Sequence, residues 1–300
     1  MALRWLKALE QGFDVKLTAG THGGCLNLLT AKDSPFGGLE SLKGQTIGVT
    51  DMAGPDKNFF AILLKRHGID PISDVQWKVY PADLLSVALD KREIAAISGS
   101  EPFSYRLLET GKYQLIASNM TGDYANLSCC VLGVSGSLAR DHKPAAAALT
   151  QAILEAHSYA AAHPESVAQS FLAHALNTSE AEVSGILHGQ GHGHHAVGEA
   201  FVKELTQYAV DLQRVQVIKP GTDPPSVRGE YLCQRIRLSR LWRAPPAARR
   251  CGEKGCWPPR CGCWAVCLLL PGPTPGGAGR LAKAGRWRNS PSAAACCCWR

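Results

Sequence analysis

The order of apolar runs along the chain is the feature that most limits its fold. Up to residue 134, short β-like runs alternate with amphipathic helical patterns, which predicts βαβ units and a largely parallel sheet. The predicted strands are residues 14–18, 46–50, 75–80, 94–98, 114–117 and 129–134, and the predicted helices between them are 56–67, 82–91 and 102–110. After Ser137 the patterns are only helical, at 145–162, 164–174, 179–187 and 197–212. The sequence therefore predicts an α/β fold followed by an all-helical run.

The composition changes abruptly near Pro225. Up to that residue the chain has 18 Lys and Arg against 23 Asp and Glu, whereas the remainder has 14 basic and 2 acidic residues. The second part also holds nine of the 12 cysteines and five of the seven tryptophans. Two functional interpretations are a zinc module built on Cys251, Cys256, Cys261, Cys263 and Cys267, and a basic nucleic-acid arm. The cysteine gaps do not form the paired CxxC pattern of zinc modules.

A third interpretation is that residues 226–300 are read out of frame. With a permitted choice of codons, a shift of one nucleotide converts residues 226–235 into AFAANICANA, which continues the preceding sequence as an amphipathic helix. We therefore expect a frameshift near Pro225. If residues 226–300 are translated out of frame, they form an unstructured basic tail rich in Cys, Pro and Gly. No nucleic-acid partner is then expected.

Three turns that follow predicted strands are the candidate ligand contacts. In open α/β sheets, ligands bind beyond the carboxyl ends of the strands, where Gly-rich turns and helix N-termini offer N–H donors to an anion. The same Gly and Pro residues also suit such turns for backbone reasons alone. The predicted ligand-binding residues are His22, Gly23, Gly24, Cys25, Ala53, Gly54, Pro55, Asp56, Ser100 and Glu101.

Cysteine and histidine offer weaker candidates. Cys129 and Cys130 lie in an apolar strand-like run, where neighbouring side chains point to opposite faces, so packed thiols are favoured over a redox pair. His188, His192, His194 and His195 are close enough in sequence to bind a transition metal, but the glycines between them fix no ligand geometry. A polar loop is the favoured interpretation there, and neither a cofactor nor a metal is expected.

Catalytic and targeting signals are missing from the sequence. It contains no nucleophile elbow, Walker loop, HExxH or GxGxxG motif, so no catalytic residue is predicted. The opening MALRWLKALEQGFDVKL has no apolar run of signal-peptide length, and WAVCLLL is too short to cross a bilayer. As translated, the chain is expected in the cytoplasm.

Several segments resemble one known family. GLESLKGQTIGV, DMAGPDKNFF, the run LLKRHGIDPISDVQWKVYPADLLSVALDKREIAAI and SNMTGDYANLSCCVLGVSGSL occur in an order similar to that in substrate-binding proteins of nitrate/sulfonate/taurine-type ABC importers, the SsuA/THI5-like or NMT1-like group. The resemblance covers about residues 5–224. It implies a periplasmic binding protein fold of type II with two lobes around a central cleft, a periplasmic location, and binding by lobe closure without catalysis. Its partners would be a small anion or organic solute and a membrane permease.

The resemblance also implies a domain division. Residues 1–44 would be the remnant of an incomplete first lobe, 45–130 the second lobe, and 131–225 a mostly helical return to the first lobe. Residues 41–49 and 129–134 would be the two crossings between lobes, and about 80 residues of the family pattern would be missing before Met1. An alternative function is an enzyme of pyrimidine-precursor (thiamine) synthesis on the same fold, possibly metal-dependent.

Overall fold

The computed structural model describes residues 1–191 and 195–222 of the 300-residue chain. Within these ranges the strands are β1 Val15–His22, β2 Leu26–Ala31, β3 Thr46–Val49, β4 Gln76–Val79, β5 Ala96–Ser100, β6 Tyr113–Ser118 and β7 Cys130–Ser135. The α-helices are α1 Ala2–Glu10, α2 Pro55–Arg66, α3 Ala82–Asp90, α4 Phe103–Glu109, α5 Gly136–Asp141, α6 Lys143–Ala162, α7 Pro164–Leu172, α8 Glu180–Gly189 and α9 Gly198–Arg214. The predicted tail at 226–300 lies outside the described residues.

The strands form two separate sheets. β1 pairs antiparallel with β7 in a two-stranded sheet, and the other strands form a five-stranded sheet in the order β4-β3-β5-β2-β6. β3 runs parallel to β4 and β5, while β2 is antiparallel to both β5 and β6. The prediction of a largely parallel sheet was therefore wrong, since only two of the five strand pairs are parallel. The α/β class itself is confirmed.

Three strands and helices of the described residues, α1, β2 and α5, have no counterpart among the predicted ranges. All six predicted strands and all seven predicted helices overlap an observed element. β2 was missed because it is buried along nearly its whole length and lacks the alternation of a half-exposed strand. α5 has only six residues, too few to show a helical period.

Helix ends follow the expected chemistry. α2 begins with Pro55 at its first turn, where the missing N–H has no intrahelical role, and it ends with Lys65 and Arg66 near the negative end of its dipole. α9 buries Phe201, Leu205 and Leu212 along one stripe, which fixes the face that packs on the core.

One apolar core runs from the two-stranded sheet into the five-stranded one. Leu6 of α1, Phe60 of α2 and Leu205 of α9 are all at most 2% exposed and belong to this single cluster. A smaller cluster joins Leu85 and other residues of α3 to the opposite face of the five-stranded sheet. None of the helices at 1–191 and 195–222 is both long and apolar enough to cross a membrane.

The chain passes between the sheets twice, and the two passages lie side by side. Residues 23–25 lead from β1 to β2, and residues 119–129 lead from β6 to β7. Asn27 pairs with Ser118 at the start and end of the intervening segment. The first crossing was predicted at residues 41–49; the pairing of β2 places it about 20 residues earlier. The predicted division at residues 44, 130 and 225 stays a prediction.

Candidate functional site

A cavity of about 320 Å³ lies beside the two crossings. Its lining is mostly apolar, and it combines the ends of β1 and β7, the turn after β5, and the inner faces of α6, α7 and α8. The lining residues are Met1, Trp5, Thr21, His22, Cys25, Glu101, Cys130, Val131, Leu132, Gly133, Ile153, Ala156, His157, Ala160, Val167, Phe171, Val183, Ile186, Leu187 and Gln190. The two-stranded sheet, the turn after β5 and three helices thus face one partly open space, and such a concave, mostly apolar surface is typical of a small-molecule site.

His22 and Cys25 reach the cavity from the first crossing. His22 is the last residue of β1, its carbonyl accepts a hydrogen bond from the N–H of Cys129, and its ring nitrogen Nδ1 lies 3.1 Å from the carbonyl oxygen of Gly23. The imidazole ring is 5.7 Å from that of His157 on α6. Both rings line the cavity, so two groups able to give or take a proton face the same space.

Glu101 brings a carboxylate from the five-stranded sheet. It follows β5, and its two oxygens accept hydrogen bonds from the Asn27 side chain at 2.6 Å and from the backbone N–H of Tyr105 at 2.8 Å. Burial raises the pKa of this carboxyl group in spite of those hydrogen bonds. The position is rigid, and it can accept a hydrogen bond from a bound molecule.

The predicted turn at Ala53, Gly54, Pro55 and Asp56 is absent from the described cavity lining. Asp56 is 6% exposed, accepts a hydrogen bond from Ser98 at 3.0 Å, and also accepts from its own N–H and that of Lys57. The donors at the start of α2 are therefore occupied by a side chain of the protein. Gly54 is needed for packing, since a Cβ there would lie 2.6 Å from an Asp56 oxygen.

The other predicted contacts lie near the cavity rather than on its described wall. Gly23 exchanges two backbone hydrogen bonds with Gly191, at 2.9 and 3.2 Å, which joins the first crossing to the end of α8. Gly24 has φ +63° and packs against Met120, and Ser100 pairs with Leu26 in the sheet. The ten predicted ligand contacts stay predictions, of which His22, Cys25 and Glu101 line this space.

Several lining residues were not found by sequence reasoning. Trp5, His157, Phe171 and Gln190 lie on or next to helices, where an apolar or polar side chain at helical spacing is indistinguishable from ordinary core or surface. For His157, Phe171 and Gln190, the signal that could have found them is the chain order implied by the resemblance, which returns the later helices to the first lobe.

The two described histidines among the predicted metal candidates, His188 and His195, have different neighbours. Nε2 of His188 lies 2.9 Å from a Glu165 oxygen, whereas the His195 ring is 6.2 Å from that of His157. His192 and His194 lie outside the described residues. Among the described residues, the one group of three or more ligating side chains is Cys25, Cys129 and Cys130.

We expected the side chains of Cys129 and Cys130 to point to opposite faces of a strand, and this prediction was wrong. β7 begins at Cys130, so Cys129 still belongs to the crossing segment and is not bound by strand alternation. Both side chains approach Cys25, and the Sγ atoms of Cys25 and Cys129 are 3.1 Å apart.

A larger hollow of about 920 Å³ lies at the other end of the five-stranded sheet. Thr46 and Ala95, at the beginnings of β3 and β5, are on its wall, together with charged residues such as Asp33 and Arg92. Ligands of α/β sheets bind at the opposite, carboxyl ends of parallel strands. The smaller cavity is therefore the better candidate.

Sequence and structure comparisons point in one direction. A model of the NMT1-like family matches residues 23–173, half of the chain. No curated protein matches the sequence.

Solved structures share the fold at low identity. The periplasmic aliphatic sulphonate binding protein SsuA from Escherichia coli superposes with a TM-score of 0.62 at 14% identity, covering 85% of this chain and 79% of its own. A ligand-binding component of an ABC-type import system from Staphylococcus aureus, with zinc bound, has a TM-score of 0.59 at 18% identity and coverages of 79% and 78%. The periplasmic nitrate-binding protein NrtA from Synechocystis PCC 6803 has a TM-score of 0.59 at 12% identity and coverages of 78% and 71%. The two-lobed periplasmic binding protein fold is therefore confirmed.

Proposed function

The chain belongs to the NMT1-like family, and on that premise we propose that it is the solute-binding component of an ABC importer. Its ligand would be a small anion or organic solute of the nitrate, sulfonate or taurine class. It would hand this ligand to a membrane permease from the periplasmic side. Binding would proceed by closure of the two lobes, without a chemical step.

The cavity beside the crossings is the observation that carries this proposal. Its wall combines His22 at the end of β1, Glu101 after β5 and His157 on α6, which belong to different parts of the fold. A solute held there would contact the two-stranded sheet and Glu101 after β5 at once, so its binding energy would favour the arrangement in which these parts are close. The binding proteins for sulphonate and nitrate share this two-lobed fold.

The test is thermal denaturation of the full chain with single solutes: nitrate, bicarbonate, alkanesulfonates, taurine and aminopyrimidines. We expect at least one of them to raise Tm, because a ligand that binds only the folded state stabilises it by mass action. Replacing Ala156, on the cavity wall, by Trp should abolish that shift.

Ala152→Trp provides the matched control, since Ala152 is on the same helix but not on the described wall. It should leave the shift intact. Absence of a shift with every solute, or an undiminished shift in Ala156→Trp, would contradict the proposal.

The alternative function is an enzyme of pyrimidine-precursor synthesis on the same fold. The observation in its favour is the approach of His22, His157 and Cys25 to one cavity, because imidazole and thiol groups can transfer protons or attack a substrate. Recovery of the stabilising solute unchanged after prolonged incubation supports the binding function. Chemical conversion of that solute supports the enzyme.

A further inference from the structure

Three cysteines meet at the two crossings. Cys25 lies in the first crossing, Cys129 ends the second, and Cys130 begins β7. All three are at most 6% exposed, and their Sγ atoms lie within 4.8 Å of one another. Residues more than 100 positions apart in sequence are thus joined at a point through which the chain passes in both directions.

The backbone around these thiols is held by several hydrogen bonds. Cys129 donates its N–H to the carbonyl of His22 at 2.9 Å, and its own carbonyl accepts from the N–H of Ala2, also at 2.9 Å. The N–H groups of Cys25 and Leu26 both donate to the side-chain oxygen of Asn119, at 3.0 and 2.9 Å. The three Cα positions are therefore fixed before any ligand arrives, which removes part of the ordering cost of a site.

Asn119 is the first residue of the second crossing, and its side chain joins the two crossings beside the thiols. Its oxygen accepts hydrogen bonds from both of the N–H groups at the end of the first crossing and the start of β2. Thiolate is the form of cysteine that binds metals, and hydrogen bonds to the residues that supply the ligands help to orient them.

The sulfur spacing fits one small cation. A Zn–S bond is about 2.3 Å long, so two sulfurs on a tetrahedral ion are about 3.8 Å apart. The observed spacings, from 3.1 Å for Cys25 and Cys129 up to at most 4.8 Å, bracket this value, and small rotations of the side chains suffice to reach it. Three soft sulfur ligands favour thiophilic d10 ions over Mg²⁺ or Ca²⁺.

We propose that Cys25, Cys129 and Cys130 form a three-thiolate site for a thiophilic d10 cation, Zn²⁺ or Cu⁺, that fastens the two crossings together. Cys25 and Cys130 also line the cavity, so the remaining coordination position faces that space. Binding releases the thiol protons to solvent, and no oxidation or reduction takes place. The proposal does not depend on which solute the cavity holds.

The first test loads the reduced full chain anaerobically with Zn²⁺ in one arm and with Cu⁺ in the other. After a weak chelator has removed loosely held metal, the metal bound per chain is counted. We expect Cys129→Ser to retain one ion fewer than the unsubstituted protein in at least one arm. The nine cysteines beyond residue 225 are the same in both proteins, so they cancel in this difference.

Ser128→Ala is the matched control for that variant. Ser128 precedes Cys129, and its buried hydroxyl has no hydrogen-bond partner among the described residues, so its removal leaves all three thiols in place. This variant should retain the full metal count. Equal counts in Cys129→Ser and in the unsubstituted protein would overturn the proposal.

A second test uses the unsubstituted chain and does not depend on whether a variant folds. Alkylation by iodoacetamide is followed peptide by peptide, with and without metal at a hundredfold excess over its Kd. Loading should slow the modification of Cys25, Cys129 and Cys130 up to roughly 100-fold, because the thiols react only when the metal is released. Unchanged alkylation rates would overturn the proposal. It would also be overturned if the reduced protein bound neither Zn²⁺ nor Cu⁺ and an added oxidant joined Cys25 and Cys129 in a disulfide.

Discussion

Asp56 is a carboxylate whose surroundings favour its protonated form. It lies in the first turn of α2 and is 6% exposed. Burial raises its pKa above the usual 3.8, although the hydroxyl of Ser98 and two backbone N–H groups donate to it. The folded protein therefore binds this proton more tightly than the unfolded chain does.

The sign of the resulting pH dependence follows from linkage. The stabilisation from Asp56 is fully present below pH 3.8 and is lost as the pH rises through the folded-state pKa. We expect Asp56→Asn, which keeps an oxygen acceptor, to gain stability relative to the unsubstituted protein as the pH increases across that range. Urea unfolding at a series of pH values measures this difference.

Asp70 provides the opposite control. A hydrogen bond from Lys65, together with the N–H groups of Ile72 and Ser73, lowers its pKa to about 2. Its stabilisation is present above the unfolded value of 3.8 and is lost as the pH falls, so Asp70→Asn should cost most at neutral pH. A stability curve for Asp56→Asn that stays parallel to that of the unsubstituted protein would contradict the first prediction.

At the scale of secondary-structure elements, Asp211 joins α9 to α2 and to the turn after β6. It is fully buried, and its oxygens accept hydrogen bonds from Tyr124 at 2.7 Å, Gln207 at 2.8 Å and Arg66 at 3.1 Å. The Arg66 guanidinium also stands 4.7 Å from the centre of the Tyr124 ring. One carboxylate therefore holds three elements in register.

Replacing Asp211 by Asn should destabilise the protein by about 3 kcal/mol, because Arg66 then loses its buried partner. The free energy of unfolding in urea measures this loss. Asp123→Asn is the matched control, since Asp123 binds the same guanidinium at 2.8 Å but is 84% exposed. It should change stability by less than about 1 kcal/mol. Equal losses of stability in Asp211→Asn and Asp123→Asn would show that burial does not make the Arg66–Asp211 ion pair stronger than the exposed Arg66–Asp123 pair.

Asp211 also shows what the sequence could and could not predict. Helix α9 was expected from its apolar stripe, but an Asp on an amphipathic helix normally indicates the solvent face, so the burial of Asp211 was not predictable. β2 was missed because it is short and buried at nearly every position, so its sequence does not alternate between apolar and polar residues as a half-exposed strand does. In the candidate site, His22, Cys25 and Glu101 were selected because they lie in turns at the ends of predicted strands. Trp5 and Phe171 reach the cavity wall only through the packing of helices that are distant in sequence, which no local pattern indicates.

At the scale of the whole molecule, α4 and α8 meet across the cavity side of the fold. The Arg106 guanidinium donates to Glu182 at 2.6 Å and to the carbonyl of Asn177 at 3.1 Å. Gly185 lies so close to α4 that a Cβ there would be 2.1 Å from the Tyr105 hydroxyl. α8 also supplies Ile186 to the cavity wall, so this contact joins α4, which follows β5, to a helix that lines the ligand space.

Gly185→Ala should displace the Tyr105 side chain from its place against α8 and cost about 1–3 kcal/mol of stability through overpacking. Truncation of the opposing side chain in Gly185→Ala/Tyr105→Ala should restore most of the loss, a coupling that a double-mutant cycle of unfolding free energies measures. Gly189→Ala in the same helix meets no atom within 4 Å and should be neutral or stabilising by up to about 1 kcal/mol. Strict additivity of the Gly185 and Tyr105 changes would mean that the helices do not limit each other.

The adjacency of the two crossings makes residues 26–118 one continuous insertion between β1 and β7. The segment leaves and re-enters the rest of the chain at one point, where Asn27 and Ser118 are paired. A recombination event that exchanged this stretch between relatives would join the chain at two positions that are neighbours in space. The exchanged segment would have to keep the contacts of α2 with α9 and of α4 with α8. The exchange would replace Glu101, the one described lining residue within 26–118, while keeping His22 and His157, so one polar contact to the ligand can change while the rest of the cavity wall stays the same.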